Sequence, residues 1–246
     1  MDLKQPDYSK FAEYYDAIEL GGGKSSGSAI FLDKIFRKNK IKAILDMTCG
    51  TGAQSIGLSK KGYQVTASDL NKEMLYIAKK KGKYLGIKFS QGDIRSSRFG
   101  EFDAVIAMFN SIGHLSRKDF EKAVRNVWDN LKTGGLFVFD IFDLDYMRNG
   151  SFIDHRFIDV SMAKEGKRFV RFNKNNLNFR TGIMRIDQET WIQKGLGKPE
   201  IWKENWDLQI YTKEQLKAIL EHNGFKVVRF YSKQEGLFIF TVAKKV

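Results

Sequence analysis

Three acids and a pair of glycines stand where short apolar runs end, and their spacing narrows the chemistry open to this chain. The first run closes as Asp46-Met-Thr-Cys-Gly50-Thr-Gly52-Ala-Gln-Ser55. Glycines two residues apart, between a strand-like and a helix-like segment, let the backbone bend sharply and bring main-chain N–H groups close to a ligand. Asp69 closes the next run, 23 residues beyond Asp46, and Asp93 closes the one after that, in "QGDIR". A carboxylate placed like Asp69 can accept both hydroxyls of a ribose, so a dinucleotide is one candidate ligand. Against it, the third small position of the loop is Ser55 rather than glycine, and Asp46 directly ahead of the loop would repel a diphosphate. A cationic ligand suits the acids better. Each acid also has a plainer use, Asp69 as a cap for a helix starting at Asn71 and Asp93 as a turn former.

The elements that must hold these residues follow from periodicity. Residues 41–47 read as a buried strand and 53–62 as a helix closed by Gly62; 63–69 form a second strand, and 71–82 a helix stopped by Gly82. Residues 87–93 and 102–109 are a third and a fourth strand, 116–135 a long amphipathic helix and 136–142 a fifth strand. Strands alternating with helices at this spacing predict an α/β fold, a parallel sheet with helices on both faces, whose ligand sits beyond the carboxyl ends of the strands. From about Asp145 to Trp206 the rhythm changes to extended segments at 167–179, 182–193 and 199–211, separated by turns at Lys174 to Asn176 and in "KGLGKP". Then 212–225 restores a helix, opened by a Thr212/Gln215 capping box and ended by Gly224, and two strands joined by a turn finish the chain. The expected organisation is a ligand-binding core at 1–145, an inserted antiparallel β lid at 146–208, and a C-terminal helix and two strands at 209–246 that complete the core.

Bulk properties restrict the setting. The balance of 42 Lys plus Arg against 29 Asp plus Glu gives a formal charge of +13, which favours nucleic acid, anionic surfaces or acidic small molecules. The lysines are spread along helix-like segments such as "IAKKKGKYLG", where a solvated helix face accounts for them. The lone Cys49 makes no internal disulfide and leaves no cysteine cluster for zinc, so no metal is expected. No stretch approaches the ~18 apolar residues of a membrane span, and "MDLKQPDYSK" has acids and no apolar centre, so a cytoplasmic protein without membrane contact is expected.

In order and spacing, the glycine loop after Asp46, then Asp69, then Asp93 in "QGDIR", then "FDAVIAMFNSIGHL" together resemble the class I S-adenosylmethionine-dependent methyltransferases, over nearly the whole chain. One departure is that the first glycine of the family's Gly-x-Gly-x-Gly is Thr48 here. The resemblance implies a Rossmann-like seven-stranded sheet with helices on both faces and the antiparallel insertion as a lid. It also implies S-adenosyl-L-methionine as cofactor, leaving S-adenosyl-L-homocysteine. On that basis Gly50 and Gly52 pass under the methionine part, Asp46 supports its ammonium group, and Asp69 accepts the ribose hydroxyls. Asp93 accepts the adenine amino group, the Ile94 N–H meets a ring nitrogen, and Asn110 lies beside the sulfonium. Thr48 and Leu70 are counted in the same cofactor-binding set.

Methyl transfer from a sulfonium is an in-line displacement on an activated carbon, so the protein must chiefly align the partners and keep the nucleophile unprotonated. Families that methylate exocyclic base amines carry Asn or Asp, two prolines and an aromatic after strand four; this chain has "FNSIGHL". Those that methylate C5 of cytosine need a thiol there, and the one cysteine lies in the glycine loop. The insertion resembles the lid of small-molecule N-methyltransferases of the glycine/sarcosine and aminosugar type, and "FAEYYDAI" resembles their N-terminal cofactor-covering segment. That points to Tyr14 as a catalytic candidate, Tyr15 at the cofactor and Asp16 as an acid for an amine, although the same aromatics can simply pack on the core. Of the histidines His114, His155 and His222, the first follows the sulfonium-facing loop and is the candidate general base; His222 reads as a charge at a helix end. Glu204, Trp206 and Tyr211 either line a substrate pocket or belong to a half-buried strand. The expected partner is a small-molecule amine, with the protein a monomer or homodimer. A tRNA or rRNA methyltransferase and a non-catalytic cofactor-binding protein are the alternatives.

Overall fold

The computed structural model describes residues 2–19, 24–148, 156–164, 166–233 and 236–246. In chain order its strands are β1 (Ala43–Asp46), β2 (Gln64–Asp69), β3 (Lys88–Gln91), β4 (Phe102–Ala107), β5 (Leu131–Phe142), β6 (Arg156–Lys164), β7 (Lys167–Asn178), β8 (Ile183–Lys194), β9 (Glu200–Gln209), β10 (Phe225–Lys233) and β11 (Phe238–Lys245). The helices are α1 (Tyr8–Glu19), α2 (Lys24–Lys38), α3 (Ala53–Ser59), α4 (Lys72–Lys81), α5 (Arg117–Asp129), α6 (Leu144–Arg148) and α7 (Lys213–His222), with a 3₁₀ turn at Ser111–His114.

Seven strands make one sheet in the order β10-β11-β5-β4-β1-β2-β3. β1 pairs in parallel with both β2 and β4; the chain runs outward from β1 through β2 to β3 and then crosses back to β4, so strand order reverses between β1 and β4 and a crevice opens at their carboxyl ends. The sheet is mixed, because β11 runs antiparallel to β5 and to β10. Its strands are apolar on both faces, as helices on both sides require. Phe137, Phe139 and Ile141 of β5 pack with Phe120 and Val124 of α5 and Leu216 and Leu220 of α7. The alternate residues Leu136 and Val138 pack with Leu32 and Phe36 of α2 and Leu58 of α3.

The second sheet is antiparallel, in the order β6-β7-β8-β9. Leu144 and Met147 of α6 join it to the core through Met184, Ile186 and Leu208. Four strands stand where three extended segments were expected: β6 is the fourth, and its alternation of Ile158, Val160 and Met162 with Asp159 and Ser161 is a strand signal that the sequence reading missed. The turn expected at Lys174 to Asn176 is absent: those residues lie inside β7, where Asn173 and Asn175 are buried and register with β8 continues from Lys167 to Asn178. The reversal falls at Asn178 to Gly182 instead, with Gly182 at φ +70° and its N–H bonded to the Asn178 carbonyl. The long helix also ends sooner than expected. Asn130 caps α5, and Leu131 already pairs with Phe102 on β4, so 131–135 belong to β5. The capping box of Thr212 and Gln215 opens α7 as read.

Candidate functional site: two cavities at the carboxyl end of the sheet

The loop after β1 is shaped by two left-handed glycines. Gly50 has φ +53° and gives its N–H to Asp69 Oδ2 at 2.7 Å, which ties the loop to the end of β2. Gly52 has φ +85° and faces α4, where an added Cβ would stand 3.1 Å from Ala78 Cβ. Gly50 therefore lines a cavity, while Gly52 lets α3 start and pack closely. Asp69 Oδ1 accepts the Asn71 N–H at 2.8 Å. With one N–H on each oxygen, the carboxylate is fixed and still has lone pairs directed at the cavity. Burial raises its pKa.

Asp46 takes a different place. It is 1% exposed, accepts Ser55 Oγ–H at 2.6 Å and the Thr48 N–H, and lies beneath the loop rather than in the cavity lining. Burial lifts its carboxyl to about 7. Because the folded pKa exceeds the unfolded one, the folded state holds this proton more firmly, and its contribution to stability falls as pH rises from about 4 to about 7. Asp46→Asn should therefore flatten part of that fall; urea-unfolding midpoints that drop equally from pH 4.5 to 8 in both proteins would refute the assignment.

A cavity of about 540 Å³ opens over the loop, lined by Thr48, Gly50, Asp69, Leu70, Asp93 and Ile94 together with Tyr8, Tyr15 and His114. Thr48 Oγ1 pairs with Ser111 Oγ at 2.9 Å, fixing the loop to the turn after β4. The Asp93 carboxylate receives Arg95 through its N–H, Nε and Nη2 at 2.6–3.0 Å, and this partner lowers its pKa. Arg95 so occupies most of the acceptor capacity expected for an adenine amine.

At the end of β4 the backbone takes two consecutive left-handed steps, Phe109 at φ +60° and Asn110 at φ +56°. Such non-glycine conformations cost about 1–3 kcal/mol each unless their surroundings hold them. Here Asp140 Oδ1 accepts the Asn110 N–H at 2.9 Å, and Asn110 Oδ1 accepts the Phe142 N–H at 3.3 Å. The result puts Phe109 into the wall between the first cavity and a second of about 450 Å³; Asn110 lines the second. Tyr8, Tyr15, Phe109 and His114 face both.

α1 supplies half of that wall. Tyr8 and Tyr15 lie seven residues apart on one helix stripe and meet edge to face at 6.1 Å. Tyr8 Oη lies 2.8 Å from His114 Nε2, and desolvation pushes the histidine down to about 4, so it is a neutral hydrogen-bonding partner at pH 7 rather than a base poised to take a proton. Tyr14 points the other way. Its ring packs on Phe169 and Trp202 under Lys167, joining α1 to the four-stranded sheet outside both cavities. Asp16 is engaged by Thr51 Oγ1 and Lys81. Tyr211 is buried against Phe120 in the core, again away from the cavities. His222 closes α7, and His155 lies outside the described residues.

The second cavity is acidic although the chain is basic overall. Among the described residues Asp7, Glu19, Asp140, Asp159 and Glu204 line it, against Arg171 as the one lysine or arginine. Arg171 bridges Asp159 at 2.6 Å and Glu19, locking β6 and β7 to α1. Among the described residues Glu204 makes no ion pair; its Oε2 accepts the Asp7 N–H at 3.3 Å, and burial raises its pKa. Trp206, Phe142 and Phe238 supply aromatic walls. Sequence reading named Glu204 and Trp206 but missed Tyr8, Phe109, Asp140, Asp159, Glu19 and Arg171. Two signals were available: the seven-residue spacing of Tyr8 and Tyr15, and Asp140 as an acid inside the apolar run "LFVFDIF".

The first cavity fits a nucleoside with a positive centre better than a diphosphate. Its glycine loop carries no cation, Asp69 offers paired acceptors, and Arg95, the one arginine lining it among the described residues, is already held by Asp93. Among the described residues no cluster of metal-binding side chains exists and no helix is long and apolar enough to cross a membrane.

Residues 44–135 match a family model described as a methyltransferase domain. A glycine/sarcosine N-methyltransferase of Parasynechococcus marenigrum is 28% identical over 156 residues, covering 61% of this chain and 55% of that one. A dTDP-3-amino-3,4,6-trideoxy-alpha-D-glucopyranose N,N-dimethyltransferase of Streptomyces venezuelae is 32% identical over 132 residues, covering 52% of this chain and 55% of that one. The chain thus spans about half the length of these curated relatives. Among solved structures, S-adenosylmethionine-bound CalS10, an amino pentose methyltransferase of Micromonospora echinaspora, superposes with a TM-score of 0.80 at 19% identity, covering 100% of this chain and 99% of that one. That likeness extends the shared fold through the four-stranded sheet.

Proposed function

We propose that the chain, whose residues 44–135 match a methyltransferase domain, transfers a methyl group from S-adenosylmethionine to the nitrogen of a small amine in the cytoplasm. The observation that carries this reading is the second cavity, acid-lined in a protein of net charge +13 and sharing Pro6, Tyr8, Tyr15, Phe109 and His114 with the first as their common wall. Carboxylates and aromatic rings at that wall attract an ammonium ion and its methylated products. The N-methyltransferase activities of the similar proteins above point the same way.

The cofactor would supply an electrophilic methyl on a positive sulfur. Asp69 would hold its ribose, the Gly50 turn would admit its amino-acid part, and Ile94 and Leu70 would cover its base. Asp46, beneath the loop, would favour a cation above it when ionised. On the acceptor side, Glu204 would hold the amine as an ammonium ion. One proton must pass from that nitrogen to solvent before it attacks, and the transfer then leaves a methylammonium ion and S-adenosylhomocysteine, a net release of one proton. The acids of the cavity favour the protonated amine, so turnover should rise with pH toward the pKa of the bound amine.

A labelled-methyl assay with a panel of small amines and their hydroxyl analogues tests the reading. Label should enter amines, more rapidly at pH 8.5 than at pH 7. Label confined to hydroxyl compounds would overturn the nitrogen assignment, and label in no small molecule, with cofactor bound, would overturn the activity.

A further inference from the structure

The outer face of α4 carries a stripe that neither cavity uses. Lys72, Tyr76, Lys79 and Lys80 follow one another at helical spacing, Lys83 and Tyr84 continue the stripe in the turn past the Gly82 cap, and all six are exposed. Tyr76 is 69% and Tyr84 87% exposed. Lys83 Nζ stands 5.2 Å from the Tyr84 ring centroid. Among the described residues these four lysines have no carboxylate in ion-pair range, whereas Lys81 on the flank is tied to Asp16.

A solvated helix face explains lysines but not two tyrosine rings standing in water between them. Helix stability does not explain the stripe either. Cations in the last turn suit the negative end of the helix dipole, but Lys72 sits in the first turn, where the dipole opposes it. Unpaired cations interleaved with exposed rings are what a single nucleic-acid strand needs: lysines for its phosphates and flat rings on which bases stack. The stripe extends beyond α4, since Ser59 Oγ bonds the Leu85 carbonyl at 2.8 Å and so brings the exposed Lys60 beside it. It begins two residues after Leu70, which lines the first cavity.

We propose that this face docks single-stranded nucleic acid. A lipid surface would call for apolar side chains that insert among the cations, and the stripe offers tyrosines. The docking is independent of the amine chemistry at the two cavities.

Fluorescence anisotropy of the full chain with a labelled single-stranded RNA of ~20 nucleotides is the test. Binding should weaken with salt at a log–log slope of about −3, as four phosphate contacts on a single strand require. Replacing Lys72, Lys79, Lys80 and Lys83 together by Glu should lower affinity at least ~10-fold and flatten that slope. The pair Tyr76→Ala and Tyr84→Ala should cost ~10-fold with the slope retained, because it removes stacking and no charge. Both variants should bind S-adenosylhomocysteine as the parent does. The proposal is overturned if the RNA fails to bind at 50 mM salt, if the tyrosine changes leave affinity unaltered, or if duplex RNA or phosphatidylglycerol vesicles are preferred.

Discussion

Asp69→Ala should weaken S-adenosylhomocysteine binding by at least about 100-fold in calorimetric titration at pH 7.5. Two charge-assisted hydrogen bonds to a ribose are worth about 1.5–3 kcal/mol each, or roughly 3–6 kcal/mol together. The same carboxylate anchors the loop through the Gly50 N–H at 2.7 Å and the start of α4 through the Asn71 N–H at 2.8 Å. Removing it therefore takes away both the ligand's acceptors and the restraint on a left-handed turn. Asp69→Asn keeps one carbonyl oxygen and should lose about tenfold, separating the two effects. A dissociation constant within threefold of the parent's in the alanine variant would refute the cofactor assignment for the first cavity. Since burial raises the Asp69 pKa, binding should also weaken as pH falls and the carboxylate takes up a proton.

Glu204→Gln should leave cofactor affinity unchanged and lower kcat/KM for the amine by about 10–100-fold, mostly through KM. Among the described residues Glu204 accepts the Asp7 N–H and makes no ion pair, with Lys10 and Arg171 acting on it only at longer range, so its charge is available to an ammonium ion. A hydrogen bond between two charged groups in a partly buried site is worth about 1.5–3 kcal/mol. Glutamine preserves shape and one acceptor while removing the charge, so a hydroxyl analogue that carries no charge should be bound equally by both proteins. Steady-state kinetics with the best amine of the panel gives the answer. An unaltered kcat/KM would exclude Glu204 as the amine's partner and shift attention to Asp140, on the opposite sheet.

His114 shows how burial changes a role. Its position after β4 suggests a base near neutral pH, but the ring is enclosed with Tyr8 as its partner and no acid to hold a charge, so its pKa falls to about 4. The pair is better suited to fixing the Tyr8 ring and hydroxyl at the wall than to proton transfer. Tyr14 and Tyr15 diverge for a geometric reason: adjacent residues on a helix point about 100° apart, so one faces the cavities and the other the β7 and β9 side chains Phe169 and Trp202.

What the sequence determined by itself was local or periodic. The β1 loop with its glycines, the acids ending β2 and β3, the alternation of strands and helices, and the Thr212 capping box are set by neighbours within a few residues, through dihedral restrictions and apolar spacing. Tertiary structure alone decided which acids share a space. Asp7, Glu19, Asp140, Asp159 and Glu204 come from four separate parts of the chain, the two ends of α1, β5, β6 and β9, and no local pattern marks them as neighbours. Nor could spacing tell that Arg95 would take up Asp93, that Asp46 would be sealed under its own loop, or that β7 would run straight through Lys174 to Asn176. Those outcomes depend on desolvation and on side chains brought together from distant segments, which exist only once the two sheets and α1 have packed.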